Sequence, residues 1–175
     1  MKMKKSECVT FLKQGGVGIY PTDTLYGLLG SALNRRTVAR IYKVRKRNPK
    51  KSFIVLISSE KDLMSFGISP SPRLRKFLKK IWPGPVSVIL GCPFKKFEYL
   101  HRGTEGLAFR VPKSRSLRLF LKKTGPLVAP TANFEGEPPA ETIEEAKRYF
   151  GNTVDFYFGK ARKRGSPSTL VRVLR

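Results

Sequence analysis

The sequence predicts an α/β domain in which helices cover a central β-sheet. Short apolar runs, typical of strands that are buried on both faces, alternate with segments that repeat apolar residues at helical spacing. The chain has 175 residues, 40% of them hydrophobic, which is enough for one domain with its own core. Because no internal repeat, low-complexity stretch or linker divides the sequence, we expect residues 1–175 to form a single domain.

Helices and strands alternate in the first half of this predicted domain. Ser6 is a candidate helix N-cap, and Gly15 ends that helix. A strand follows and stops at Pro21, while Val38 and Ile41 give the next helix an apolar face. The predicted elements are a helix over residues 6–13, a strand over 17–20, a helix over 34–46, a strand over 53–57 and a short helix from Ser59.

The second half continues the alternation. A Pro-Gly-Pro sequence at residues 83–85 ends one helix, and Gly125 ends another. Thr142 caps the last helix, and Glu144 and Glu145 lie in its first turn, where negative charge is favourable. The predicted elements are helices over residues 71–81, 114–123 and 142–150, and strands over 86–90, 107–111, 127–129, 154–158 and 169–174.

Positive charge is the strongest compositional feature. The chain has 36 Lys and Arg residues against 12 Asp and Glu, a formal net charge of +24. A field of this sign attracts polyanions, either a nucleotide or RNA. A generally solvated basic surface has the same composition, so charge alone does not decide between these interpretations.

Several protein classes are disfavoured. No apolar run approaches the ~18 residues of a membrane span, and the N-terminal residues lack the apolar core of a secretory signal, which favours the cytoplasm. Cys8 and Cys92 are expected to be free, buried thiols. His101 is the sole histidine, so neither a zinc cluster nor a Ser-His-Asp triad is indicated, and we interpret it as a surface-loop residue.

Polar side chains follow several predicted strands, at the ends where α/β proteins place their sites. Residues 21–28 contain Thr22, Asp23 and Thr24, which are more polar groups than a turn requires, although a turn would also explain them. Thr131 and Asn133 follow another strand, and hydroxyl residues at 166–169 precede the last one. Such hydroxyls and amides offer both donors and acceptors to a small ligand.

Cations dominate the second predicted helix and the loop that connects it to the next strand. Nine Lys or Arg residues and no acid occur from Arg35 to Lys51. A helix C-terminus explains one or two of them, whereas guanidinium and ammonium groups together suit phosphate oxygens. Arg110 closes an apolar strand and needs an anionic partner, either a ligand carboxylate or a structural salt bridge.

Together these segments resemble the YrdC-like family. Residues 21–28 match its P-T-[DE]-T-x-[YF]-G-L pattern, and R-K-R-N at 45–48 is similar to its K-x-R-P turn. W-P-G-P at 82–85, R-V-P at 110–112, T-A-N at 131–133 and P-S-T at 167–169 follow in the family's order. Arg45 stands where the family usually has lysine, Asn48 and Ser52 replace common prolines, and Thr131 replaces serine.

The resemblance implies a twisted mixed sheet flanked by helices around a basic cavity. It also implies synthesis of threonylcarbamoyl-AMP and pyrophosphate from L-threonine, bicarbonate and ATP, for the threonylcarbamoyladenosine (t6A) modification of tRNA. Mg²⁺ would accompany ATP without a metal site on the protein, and other proteins would transfer the group to tRNA. The resemblance assigns threonine to Thr24, Arg110, Thr131 and Ser168, and ATP to Arg47, Lys51 and Asn133. As a mechanistic hypothesis, we expect Arg45, Arg47 and Lys51 to make the catalytic contacts with the triphosphate.

The main alternative is a non-catalytic protein that binds double-stranded RNA or tRNA, or acts in ribosome maturation. Hydroxyls at strand ends favour a small-molecule pocket, whereas an RNA-binding protein more often has aromatic residues among its cations. Phe94, Phe97 and Tyr99 beside Lys95 and Lys96 form one such run, which a loop packed on the core explains equally well. A carbamoyltransferase subdomain is a third interpretation, disfavoured because the zinc-finger segments of those enzymes are not seen in the sequence.

Overall fold

The computed structural model describes residues 3–166 and 168–173, and in that part of the chain an eight-stranded mixed sheet forms. Its strands are β1 (Val17–Pro21), β2 (Tyr26–Ser31), β3 (Ile54–Leu56), β4 (Val86–Gly91), β5 (Gly106–Arg110), β6 (Leu127–Val128), β7 (Phe156–Tyr157) and β8 (Thr169–Arg172). Their order across the sheet is β7-β1-β2-β6-β3-β5-β4-β8. The predicted α/β class with a mixed sheet is confirmed, while Pro167 of the P-S-T motif and the predicted strand end at residue 174 lie outside the described residues.

Helices flank this sheet, and most begin one residue after their predicted start. They are α1 (Lys5–Lys13), α2 (Arg35–Val44), a 3₁₀ helix (Glu60–Phe66), α3 (Pro72–Ile81), a second 3₁₀ helix (Lys95–Phe97), α4 (Glu98–His101), α5 (Arg115–Thr124) and α6 (Ile143–Phe150). Asn34, Ser71, Ser114 and Thr142 each accept a hydrogen bond from the backbone N–H three residues later. These side chains are N-caps, which lie just outside the helix they start.

The sheet separates two apolar clusters. On one face, Leu12 of α1 and Phe120 of α5 belong to a cluster that includes Leu56 of β3. On the other face, Ile41 of α2 belongs to a larger cluster that includes Val55 of β3. Because successive strand residues point to opposite faces, the neighbours Val55 and Leu56 join the two clusters through one short strand.

The sequence analysis missed three elements: the second 3₁₀ helix, α4 and strand β2. Strand β2 was missed because its first residues lie in the segment interpreted as a polar loop. It pairs antiparallel with β1, from Val17 opposite Gly30 to Pro21 opposite Tyr26. Glycine is unfavourable in strands, which hid the pattern. A Cβ atom on Gly30 would lie 2.5 Å from Cγ2 of Thr37, so this glycine is what lets α2 lie directly on the strand.

The interpretation of His101 as a surface-loop residue is wrong. It is 4% exposed, and its Nδ1 accepts a hydrogen bond of 3.2 Å from the N–H of Gly103. This histidine ends α4, next to the fully buried Leu100, so the core and not solvent surrounds it. Cys8 and Cys92 are free and buried, as predicted. Within residues 3–166 and 168–173, no helix has the length and apolar character needed to cross a membrane.

Candidate active site

Several segments that are distant in the sequence meet at a cavity of about 190 Å³. They are the β1–β2 turn, the loop from α2 to β3, the end of β5, the segment after β6 and the residue before β8. Most of the predicted site residues line this cavity: Thr24, Arg45, Arg47, Arg110, Thr131 and Ser168. Asn133 is buried behind it, and Lys51 does not line it. Among the described residues, the lining includes three arginines and no Asp or Glu, so the cavity suits an anion.

The β1–β2 turn is shaped by one buried hydroxyl. Oγ1 of Thr22 donates to the carbonyl of Leu25 at 2.6 Å and accepts from the N–H groups of Thr24 and Leu25, each at 3.2 Å. These bonds satisfy the turn's backbone and bring the hydroxyl of Thr24 to 3.1 Å from that of Thr22. The structure therefore uses Thr22 to build the turn and leaves Thr24 at the cavity.

Arg110 has both an ionic partner and a free donor. Its Nη2 lies 3.1 Å from Oδ1 of Asp23, and the two side chains are 5% and 10% exposed. The second oxygen of Asp23 accepts a 2.9 Å hydrogen bond from the N–H of Lys113. Burial lowers the pKa of the Arg110 guanidinium, and Asp23 acts in the opposite direction. Nε of Arg110 is buried without a hydrogen-bond partner in the described part of the chain, so the structural salt bridge exists and still leaves one N–H for a ligand.

Arg45 is the centre of a buried hydrogen-bond network. Its Nε donates to the carbonyl of Thr131 at 3.1 Å, and its Nη2 donates to Oγ1 of Thr131 and Oδ1 of Asn133, each at 3.0 Å. Burial, and then the charge of Arg47, lowers the pKa of Arg45 to about 10. The planar guanidinium reaches three acceptors from fixed positions, which a single ammonium group cannot do. Among residues 3–166 and 168–173, its Nη1 has no partner.

Asn133 does not reach the cavity itself. Its amide nitrogen donates to the carbonyls of Phe134 at 2.8 Å and Glu137 at 2.6 Å, and its Oδ1 accepts from Arg45 and from Oγ1 of Thr131. Its amide hydrogens are thus engaged by backbone carbonyls. In this structure Asn133 holds Arg45 and Thr131 in position.

Arg47 and Lys51 differ in their environments. Nη2 of Arg47 donates to the carbonyl of Ser52 at 2.8 Å, and its guanidinium lies 4.9 Å from the centroid of the Phe53 ring, so the side chain is fixed at the cavity. Nζ of Lys51 forms an ion pair of 2.8 Å with Oε1 of Glu135, and its side chain is 60% exposed. The same oxygen lies 3.9 Å from Nη1 of Arg47, so the two cations share this carboxylate. The structure does not bring Lys51 to the predicted site.

Glu135 is a residue that the sequence analysis missed. Its carboxylate accepts from the N–H of Asn48 and from Lys51, and these contacts lower its pKa to about 2. Its own N–H donates to the carbonyl of Arg45 at 3.1 Å. A proline at position 48 would have no N–H to donate, so the departure from the family pattern at Asn48 creates this contact. The available signal was that Glu135 is the first acid after a long acid-free stretch from residue 106.

The hydroxyl of Ser168, which also lines the cavity, is held by a serine of β4. Oγ of Ser168 lies 2.8 Å from Oγ of Ser87, a fully buried residue of β4. The segment before Ser168 crosses the β1–β2 turn closely, since a Cβ on Gly165 would lie 2.7 Å from the carbonyl oxygen of Thr24. This crossing brings Ser168 and Thr24 to the same cavity.

No group of three or more His, Cys, Asp or Glu residues that could hold a metal ion occurs within residues 3–166 and 168–173. The acid nearest the cavity lining, Asp23, already pairs with Arg110 and the Lys113 N–H.

Comparison with known proteins identifies the family. The family model named for Sua5, YciO and YrdC, described as "Telomere recombination", matches residues 10–175. The protein named Threonylcarbamoyl-AMP synthase of Coxiella burnetii is 32% identical over 153 residues, covering 86% of this chain and 81% of that protein. The protein of the same name in Thiobacillus denitrificans is 30% identical over 162 residues, which cover 92% of this chain and 86% of that protein.

A solved structure shows the same fold. The crystal structure of Pyrococcus abyssi Sua5 complexed with L-threonine superimposes with a TM-score of 0.87 at 22% identity. The match covers 99% of this chain and 52% of Sua5, so this chain spans about half the length of that protein. On the family match and the sequence relatives, the resemblance predicted from the motifs is confirmed, and this chain belongs to the Sua5/YciO/YrdC family.

Proposed function

We propose that this chain synthesises threonylcarbamoyl-AMP and pyrophosphate from L-threonine, bicarbonate and ATP. The names of the Coxiella burnetii and Thiobacillus denitrificans relatives support this reaction, which makes the chain a nucleotidyltransferase. It is the same reaction that the motifs predicted. The L-threonine in the Pyrococcus abyssi Sua5 complex supports threonine as the amino acid.

The observation that carries the proposal is the pair of unpartnered guanidinium donors at one cavity. Nη1 of Arg45 and Nε of Arg110 are buried without hydrogen-bond partners among the described residues, and both side chains line the cavity. Leaving a buried donor unpaired costs about 1–3 kcal/mol, so both groups favour an anionic acceptor. We assign the carboxylate of threonine to Nε of Arg110, and the hydroxyls of Thr24 and Ser168 to its other polar groups.

The volume of the cavity indicates where each substrate binds. Its volume of about 190 Å³ is below the roughly 300–1,000 Å³ of typical small-molecule sites, so we assign the amino acid to the cavity and the nucleotide to its rim. Arg47 lies at the cavity with its guanidinium fixed by Ser52 and Phe53. Arg47 would hold the triphosphate. Lys51 could also contact the triphosphate only if its ion pair with Glu135 were replaced by one with a phosphate oxygen.

The chemistry requires placement more than a protein nucleophile. The amine of threonine and bicarbonate form a carbamate with loss of water, and a carbamate oxygen then attacks the α-phosphorus of ATP as pyrophosphate leaves. In-line placement and neutralisation of charge supply most of the catalysis in such reactions. Arg45 and Arg47 would stabilise the charge that develops on the phosphate oxygens, and Asn133 would act as a positioning residue for Arg45.

We propose that Mg²⁺ enters with ATP. Mg²⁺ keeps several waters and binds mainly through substrate phosphates, so the triphosphate would hold it with few protein carboxylates. Its contribution would be neutralisation of triphosphate charge. The product would be used by proteins that transfer the threonylcarbamoyl group to tRNA, and we place the reaction in the cytoplasm with them.

The test is to incubate the protein with ATP, Mg²⁺, bicarbonate and one amino acid at a time, and to measure pyrophosphate. We expect release only when threonine and bicarbonate are both present. Serine, which lacks one methyl group, should be used less well by a factor that corresponds to about 1–3 kcal/mol. If pyrophosphate is released at the same rate whichever amino acid is present, or is not released with any amino acid, the proposal is rejected. Either result would favour the alternative of an RNA-binding protein.

A further inference from the structure

A second and larger cavity lies next to the loop from α2 to β3. Its volume is about 480 Å³, and Pro49 and Lys50 of that loop line it, while Arg45 and Arg47 of the same loop line the candidate active site. The cavity has cations from three separate segments and a single carboxylate: Arg35, Lys50, Lys95, Lys96, Arg102 and Glu98. Its charge is therefore strongly positive.

In the part of the chain that the structure describes, none of these cations forms an ion pair. The ion pairs within residues 3–166 and 168–173 involve other cations, such as Arg40 with Asp155 and Arg75 with Glu60. Nζ of Lys96 lies 5.0 Å from the centroid of the Phe97 ring, a cation–π contact that leaves its positive charge in place. Like charges gathered around a concave surface repel each other and concentrate anions from solution.

Arg102 is held in a fixed position in this cavity. Its guanidinium carbon lies 4.2 Å from the centroid of the Tyr42 ring, and that ring lies 4.3 Å from the ring of Phe53. Nε of Arg102 is buried without a hydrogen-bond partner among the described residues. Its backbone φ of 55° is the left-handed conformation with which α4 ends, so the backbone that carries this side chain is also fixed.

The chemistry of the cavity suits phosphate. A rigid guanidinium and several ammonium groups match the charge and the oxygens of phosphate groups. The aromatic residues nearby offer little for reading a base, because Phe97 is buried and the hydroxyl of Tyr99 is held by the carbonyl of Ala32 at 2.8 Å. Recognition would depend on charge and not on sequence.

We propose that this second cavity binds the phosphate groups of a ligand other than the ATP of the proposed reaction. The site has two chemically equivalent sources, a free polyphosphate or the backbone of a nucleic acid. It does not depend on the proposed enzymatic activity, because it shares no lining residue with the candidate active site.

The test uses the full chain with two probes, inorganic tripolyphosphate and a short fluorescent RNA duplex, titrated over a range of salt concentrations. The double variant Lys95→Gln/Lys96→Gln removes two cations of the cavity, and the matched control Lys122→Gln/Lys123→Gln removes two exposed cations from the end of α5. For the duplex, we expect the cavity variant to bind at least tenfold more weakly. Its logarithmic salt slope should be less steep by about 1.8, since each phosphate contact contributes about 0.9.

The outcomes distinguish the two sources. Selective loss of tripolyphosphate binding supports a free polyphosphate, and selective loss of duplex binding supports a nucleic-acid backbone. Equal losses in the cavity variant and the control, or no loss in either, would overturn the proposal, because binding would then follow overall charge. The melting temperatures of both variants show whether they are folded. Because the test measures binding alone, its result does not depend on whether the chain forms pyrophosphate.

Discussion

Replacing Arg110 by glutamine should affect both the stability of the chain and its use of threonine, and a second substitution separates the two effects. The ion pair between Arg110 and Asp23 measures 3.1 Å, with side chains only 5% and 10% exposed. Removing one member of a buried pair typically costs about 3–5 kcal/mol, because the other charge stays buried. For a chain of this length that corresponds to a fall in melting temperature of about 6–20 °C.

The double variant Asp23→Asn/Arg110→Gln removes both charges and should recover most of this stability. The amide oxygen that this variant places at position 23 can still accept the hydrogen bond from the N–H of Lys113, which limits the change to the ion pair. The threonine contact stays lost in both variants. A charge-assisted hydrogen bond contributes about 1.5–3 kcal/mol, so the KM for threonine should rise roughly 10- to 150-fold.

The assays are thermal unfolding and pyrophosphate release as a function of threonine concentration. If the double variant regains both stability and a normal KM, Arg110 is only a structural partner of Asp23 and the assignment of threonine to it is wrong. An unchanged KM for threonine in the single variant Arg110→Gln would contradict the assignment equally.

Further substitutions test the neighbouring residues. Arg47→Ala should lower turnover roughly 100-fold or more. Lys51→Ala, at a residue outside the cavity, should change turnover less than about fivefold. Equal effects of the two substitutions on pyrophosphate release would contradict the different environments of these residues. Arg45→Lys should leave buried acceptors unpaired at a cost of about 1–3 kcal/mol, or about 2–12 °C in melting temperature, and an unchanged melting temperature would argue against the network. The pKa of Glu135 is lowered from 4.5 to about 2, so its contribution to stability is present above pH 4.5 and is lost as the pH falls through about 2. Glu135→Gln should therefore lose less stability than the wild type between pH 4.5 and 2, while the control Glu137→Gln should follow the wild type in thermal unfolding.

The sequence could predict that the site residues come together in space, because the hydroxyl residues and Arg110 each lie next to the end or the start of an apolar strand. Strand ends meet at one edge of a sheet, so Thr24, Arg110 and Thr131 reach one cavity although they are far apart in the chain. The strands themselves were recognisable from apolar runs, except β2, where two glycines hid the pattern. One of them, Gly30, is required by the packing of α2.

The separate environments of the loop cations could not be predicted in this way. Arg45, Arg47 and Lys51 look equivalent in the sequence, but the environments of Arg45 and Lys51 depend on contacts with residues more than 80 positions away. Arg45 is buried against Thr131, while Lys51 is turned outward by Glu135. Such long-range pairing is set by tertiary structure and leaves no periodic pattern in the sequence.

The alternative of a non-catalytic RNA-binding protein remains a prediction that the second cavity makes testable. Of the aromatic run considered for base stacking, Phe97 belongs to the core, as the loop interpretation predicted, and Phe94 is 41% exposed. RNA binding at the second cavity and catalysis at the first are compatible, because the two sites use different side chains.

A crystal structure of the chain with L-threonine, bicarbonate and a non-hydrolysable ATP analogue would test the proposed substrate positions without any kinetic assumption. We expect the threonine carboxylate within hydrogen-bond distance of Nε of Arg110, with the triphosphate beside Arg47. Threonine bound elsewhere, or Nε of Arg110 still without an acceptor while the substrate is present, would show that the cavity is not the threonine site.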